Sequence, residues 1–243
     1  MTLRTLHALG LTALLTLLPL FGAGADDLAV APFEARYTVY GQGIPLGEGS
    51  ITLENLGQGR YRMRATVHPT GLAAMLISDR IDESVEGRCQ DGRVLPQLYR
   101  QQRSGGKRSH DIRTVFDWSQ GRVQTSVNQQ QASLRLPVGA VDPLSLHLKV
   151  MTDLKRSVLA AQYTFLDESE LKTYQVQRQG EELLKTPLGT LRTVRVKQQK
   201  PDSTRITTLW FAPELDYLPV QIAQEKKGKE VLRMLIQDVK IRD

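Results

Sequence analysis

The side chains in this sequence that invite chemistry are four histidines, one cysteine and two acidic clusters. The histidines are His7, His68, His110 and His147. A zinc-binding helix needs two histidines on one face, as in His-Glu-x-x-His, and no pair here has that spacing. His147 stands among Leu144, Leu148 and Met151, which is the setting of a packed helix residue, and His68 precedes a proline at a strand end. Ser104-Gly105-Gly106-Lys107 has the bare Ser-x-x-Lys order of some acyl-transferring enzymes. That chemistry needs its serine on a helix in a cleft, whereas this one sits in a glycine turn between Arg103 and Arg108. Neither a Gly-x-Ser-x-Gly elbow nor a phosphate-binding glycine loop occurs. Asp79, Asp82 and Glu83, and Asp167, Glu168 and Glu170, have the residue types of a glycosidase pair. Such carboxylates must face one another across about 5–10 Å, which order along the chain does not set. Solubilised strand edges account for both clusters. No motif calls for a metal or a cofactor, and none is expected.

Basic residues make the remaining pattern. Arg60, Arg62 and Arg64 share one strand face, and Arg192, Arg195, Lys197 and Lys200 lie on another strand. With 32 basic and 26 acidic side chains the formal charge is +6, mild and dispersed. This balance suits an anionic envelope surface as partner. Nucleic acid is not expected, because an exported protein rarely meets it. Cys89 is the only cysteine, so no internal disulfide is expected, and it reads as a small, partly buried apolar residue.

The elements that must hold these residues are mostly strands. Phe33, Ala35, Tyr37 and Val39 alternate with polar neighbours. So do Tyr61, Met63, Ala65 and Val67, and Ile112, Thr114, Phe116 and Trp118. Successive strand residues face opposite sides, so each segment has one dry face and one wet face. Glycine turns recur every 8–12 residues or so, as in a meander. The pattern predicts fourteen strands between 33 and 241, one of them over 171–180. One helix over 142–156 interrupts them. Asp142 is its N-cap, and Pro143 takes the first position, where a missing N–H costs nothing. Leu144, Leu148 and Met151 form one stripe, and Leu146, Val150 and Leu154 a second. Two apolar sides predict a helix buried inside something. Pro69 to Ile77 is an unusually apolar connection, expected to be a short helical turn that covers a space. The fold class is therefore mostly all-β: an antiparallel meander forming a strongly curved sheet or open barrel wrapped around one helix, with a separate N-terminal signal helix.

That leader reads from the first 25 residues. Arg4 gives a positive start, Ala8 to Phe21 an apolar run, and Ala23-Gly24-Ala25 a small-residue cleavage site. The run is short for a membrane span of about 20 residues. Cleavage after Ala25, periplasmic localisation, and a single domain over 26–243 with no transmembrane span are expected.

Several short motifs occur in a fixed order along the chain. They are Phe33-Glu34-Ala35-Arg36-Tyr37, Gly47-Glu48-Gly49, Gly71-Leu72-Ala73, Phe116-Asp117-Trp118, Asp142-Pro143-Leu144-Ser145, Thr186-Pro187-Leu188-Gly189-Thr190, Leu209-Trp210-Phe211-Ala212-Pro213 and Leu218-Pro219-Val220. Together they resemble the exported bacterial proteins of domain-of-unknown-function family 3108. The resemblance implies a β-rich exported protein of a Gram-negative bacterium and brings no catalytic residues with it. At the level of architecture alone, a sheet curled around an apolar helix also looks like periplasmic lipoprotein carriers, which hold acyl chains in an unclosed barrel. The leading expectation is a non-enzymatic binding protein for an apolar or lipid-like envelope ligand. Leu72, Met75, Leu76 and Ile77 would form its mouth, and Leu144, Leu148 and Met151 its helix wall. The alternative is a structural or interaction protein of the cell envelope with a filled core and an envelope protein as partner, and the third is an unrecognised hydrolase.

Overall fold

The computed structural model describes residues 28–76, 78–106 and 109–242. The segment read as a signal helix and Ile77 lie outside them. Fourteen strands form one antiparallel sheet. The first half comprises β1 (Phe33–Gly41), β2 (Ile44–Gly57), β3 (Arg60–Pro69), β4 (Arg80–Gln90), β5 (Arg93–Ser104), β6 (His110–Asp117), β7 (Arg122–Val127) and β8 (Gln130–Arg135). Helix α1 (Pro143–Lys155) follows. The second half comprises β9 (Gln162–Asp167), β10 (Glu170–Thr186), β11 (Gly189–Gln199), β12 (Arg205–Ala212), β13 (Leu218–Lys226) and β14 (Lys229–Ile241). Each half is a meander, and the pairing of β1 with β14 joins them, so that β8 and β9 are the two edges.

The sheet curls until those edges approach one another without closing. Thr125 Oγ1 on β7 donates to the Glu168 carbonyl beyond β9 at 2.9 Å, and His110 Nε2 lies 3.3 Å from Glu168 Oε1. Val141 forms a parallel bridge to Phe165, which occupies part of the open edge of β9. Bare edges invite pairing with other chains, and this short bridge blunts one of them. Register shifts at Arg36/Tyr37, Glu86/Gly87 and Trp210/Phe211 add the local twist that a strongly curled sheet requires.

Helix α1 lies inside the curl. Asp142 Oδ1 accepts from the amides of Leu144 (3.0 Å) and Ser145 (2.8 Å), and Pro143 opens the first turn. All six stripe residues, Leu144, Leu146, Leu148, Val150, Met151 and Leu154, are buried. Two polar bonds fix the helix to the wall: Tyr61 Oη with Ser145 Oγ at 2.9 Å, and Tyr163 Oη donating to Asp153 Oδ2 at 2.7 Å. Around the helix pack Phe33, Tyr37, Met63, Leu209, Phe211, Leu218 and Ile236, all essentially inaccessible to solvent.

One strand exceeds its sequence pattern. β10 runs to Thr186, six residues past the predicted 180. Gly180 takes φ +104° at a register shift, which breaks the alternation, and the Leu183-Leu184 doublet beyond it has no single dry face. Cross-strand pairs from Glu181↔Val194 to Thr186↔Gly189 then extend the hairpin with β11.

Candidate lumenal site

In a meander every second turn falls at the same end of the sheet. The turns at 42–43, 105–106, 128–129, 168–169, 200–204 and 227–228, with the short 3-10 turn Gly71–Met75, therefore ring one end of the curl. The opposite end is filled by the core and α1. Between the N-terminal half of α1 and the ring of turns lies a cavity of about 400 Å³. Its floor is Pro143, Leu144, Leu146 and His147. Its walls are apolar at Ile51, Ala65, Val67, Ile81, Phe165, Tyr174, Ile222 and Met234. Polar groups interrupt them at Glu83, Asp167, Gln198, Arg205, Thr207 and Gln224. That volume and that mixture are those of a small-molecule pocket: mostly apolar, with a few polar groups that orient the occupant.

The polar groups are held in defined states. Gln101 Nε2 donates to Glu83 Oε1 at 2.9 Å and also reaches Tyr99 Oη at 3.2 Å. Desolvation outweighs that bond and pushes the Glu83 carboxyl above its usual range, towards the neutral acid. Lys172 Nζ pairs with Asp167 Oδ2 at 2.6 Å. His147 keeps partial contact with the cavity, yet the surrounding protein desolvates its ring and holds its pKa down at about 4. The N-cap Asp142 is fully buried, its Oδ2 has no hydrogen-bond partner, and burial pushes its pKa up to about 6. The lumen thus offers an imidazole that is neutral at neutral pH, side-chain amides and a desolvated carboxyl. These groups suit hydroxyls, amides or amines on an otherwise apolar ligand.

The residues read from the sequence divide as follows. Leu144 borders the cavity. Leu148 and Met151 lie in the solid core, 0 % and 1 % exposed. Leu72, Met75 and Leu76 stand on the turn ring, exposed at 83 %, 81 % and 91 %, and do not line the cavity. Ile77 falls outside the described residues. Each acidic cluster sends one member inward, Glu83 and Asp167, while Asp79 pairs with Arg103. Four arginines of the basic rows are met by acids, while Arg60, Lys197 and Lys200 have no ion pair among the described residues. Arg62 pairs with Glu54 and Glu86, Arg64 with Glu54, Arg192 with Glu181, and Arg195 with Glu182. Burial pushes the Cys89 thiol up to about 11, away from reactivity. Among the described residues no three His, Cys, Asp or Glu side chains gather as metal ligands, and no helix is long and apolar enough to cross a membrane.

Sequence reading singled out few of the lumenal polar residues. The signal was strand parity. Glu83 shares its parity with the buried Val85, Gln198 with Val194 and Val196, and Thr207 with Leu209 and Phe211, so each must face inward.

A curled antiparallel sheet, left open along one seam and holding a helix, defines a β-barrel-like protein. Within that class the chain belongs to the DUF3108 family, described as a protein of unknown function, which it matches over residues 36–234. Among solved structures it is similar to a β-barrel-like protein of the domain of unknown function DUF1849 from Brucella abortus. The two are 11 % identical with a TM-score of 0.56, and the match covers 88 % of this chain and 99 % of that one. It also matches MucB at 14 % identity and a TM-score of 0.36, over 90 % of this chain and 56 % of that one. No curated protein matches.

Proposed function

We propose that this is an exported periplasmic protein that binds an apolar or lipid-like envelope ligand in its lumen and does not transform it. The observation that carries the reading is the cavity of about 400 Å³ above α1, apolar in its walls and polar at a few inward positions. Apolar side chains from several strands converge on it together with a few inward polar groups, the composition of a ligand pocket. Glu83, His147, Gln198 and Gln224 supply hydrogen bonds for a headgroup, and Ile51, Val67, Ile222 and Met234 supply the apolar wall. The leader read from residues 1–25 supports export.

The test is lipid extraction and mass spectrometry on protein purified from its native periplasm, beside an Ala65→Trp variant. Ala65 borders the cavity, and an indole there occupies the space. A stoichiometric small molecule on the native protein, absent from the folded variant, is the expected result. An empty native protein that also fails to take up an apolar fluorophore overturns the proposal. The same purification reads the N-terminus, expected at Asp26.

A further inference from the structure

Eight large apolar residues are exposed among the described residues, and four of them, Ile44, Leu72, Met75 and Leu76, stand on neighbouring turns at the open end of the curl. Ile44 follows the β1–β2 turn. The 71–76 segment is tied beside it, since the Thr70 amide donates to the Leu46 carbonyl at 3.2 Å. On the other side of the β1–β2 turn lies a row of cations. The strand register sets Arg205 directly opposite Lys226, and Lys226 directly opposite Lys229. Lys227 caps the same hairpin, and Gln42 of the β1–β2 turn lines one groove with Lys226, Lys227 and Lys229.

Like charges directly opposite across strands repel, and an anion facing the row relieves that repulsion. Arg205 at the rim of the cavity, and Lys226, Lys227 and Lys229 beside it, have no carboxylate within ion-pair distance among the described residues. The acids on these tips are Asp202, Glu225 and Glu230, and Glu230 is taken by Arg233 at 3.4 Å.

We infer that the turn-ringed end of the barrel docks on a bilayer bearing anionic phospholipid. Leu72, Met75 and Leu76 enter the apolar boundary, and Arg205, Lys226, Lys227 and Lys229 meet the phosphates. Apolar side chains flanked by lysines and arginines are the composition that binds such interfaces. The cavity opens towards this end, so docking sets its mouth against the membrane. The inference does not depend on what the lumen holds.

The test is sedimentation of the protein, processed by its producing cell, with phosphatidylcholine vesicles containing a quarter phosphatidylglycerol. Three variants are compared: Leu72→Ser with Leu76→Ser; Lys226→Gln with Lys227→Gln and Lys229→Gln; and, at the opposite end, Val158→Ser with Leu183→Ser. All these side chains are solvent-exposed, and a thermal melt checks folding. The lysine variant is expected to partition about tenfold to a hundredfold more weakly, in line with the contribution of each basic residue at an anionic surface. The leucine variant is expected to lose about tenfold or more, from lost burial of two side chains. The opposite-end variant is expected to bind as wild type, and salt is expected to weaken binding. No binding to these vesicles, equal binding to pure phosphatidylcholine, or binding unchanged in the first two variants overturns the inference. A protein that carries lumenal lipid yet fails this test keeps the lumenal reading and loses this one.

Discussion

Replacing Asp142 by asparagine should make the stability of this protein strongly pH-dependent by removing one of two opposing titrations. Asp142 is fully buried, and its pKa rises from an ordinary 3.8 to about 6 in the fold. Between those values the folded state binds more protons than the unfolded state, so stability falls as pH rises through the window. The size is about 3 kcal/mol, from roughly two pKa units at about 1.4 kcal/mol each. His147 acts the other way. Its pKa falls from 6.5 to about 4, so the unfolded state binds the extra proton and stability rises as pH rises through nearly the same window. That contribution is at most about 3 kcal/mol, and less to the extent that cavity water solvates the ring. The two nearly cancel in the wild type. Asparagine caps a helix about as well as aspartate, so Asp142→Asn keeps the bonds to the Leu144 and Ser145 amides. Any cost of its buried amide is independent of pH. Urea unfolding from about pH 4 to 7 should therefore show the variant gaining on the wild type by about 3 kcal/mol as pH rises. The difference between the two curves removes the background from all other groups. A His147→Asn variant should show a difference of the opposite sign. Parallel curves for Asp142→Asn and wild type would refute the reasoning.

Leu148, on the buried side of α1, is 0 % exposed, so Leu148→Ala should cost about 2–5 kcal/mol in urea unfolding through the cavity it leaves. Gly87→Ala should cost about 1–3 kcal/mol by overpacking. An added methyl there would stand 2.6 Å from the Leu95 carbonyl oxygen and 2.7 Å from Tyr61 Oη, the group that holds α1 through Ser145. The buried Cys89, with its thiol pushed up to about 11, should resist alkylation at pH 8 in the native protein and react on unfolding, read by mass shift.

Most of the fold was legible in the sequence because its information is local. Phe33 to Val39 and Tyr61 to Val67 alternate, and their buried positions follow that alternation in the sheet. The helix was equally local, since Asp142-Pro143 marks its start and two leucine-rich stripes mark its burial. The end of β10 was hidden, because Gly180 shifts the register and Leu183-Leu184 shows no period. The cavity was hidden for a different reason. Its wall gathers Ala65 and Glu83 from the paired strands β3 and β4 with Asp167 of β9 and Thr207 of β12, and the space between them depends on side-chain sizes that no single strand records. Parity could have turned Glu83 and Thr207 inward, but it could not have said that the inside was empty.

The position of α1 links the lumen to the docking surface. Its first turn bonds Tyr61 at the start of β3 and its last residue pairs with Asp216 before β13, so both ends of the helix are held towards the filled end. The helix is held low by three anchors. Tyr61 bonds Ser145, Tyr163 bonds Asp153, and Lys155 at its last turn pairs with Asp216 at 2.5 Å beside the β12–β13 turn, at the filled end. With the plug fixed there, unfilled volume must fall at the other end, under the turns that carry Leu72, Met75, Leu76 and the row of cations. The exposed apolar turn therefore does not cover the lumen as a lid. It stands outside the mouth, with its three large side chains exposed to solvent as the docking surface requires.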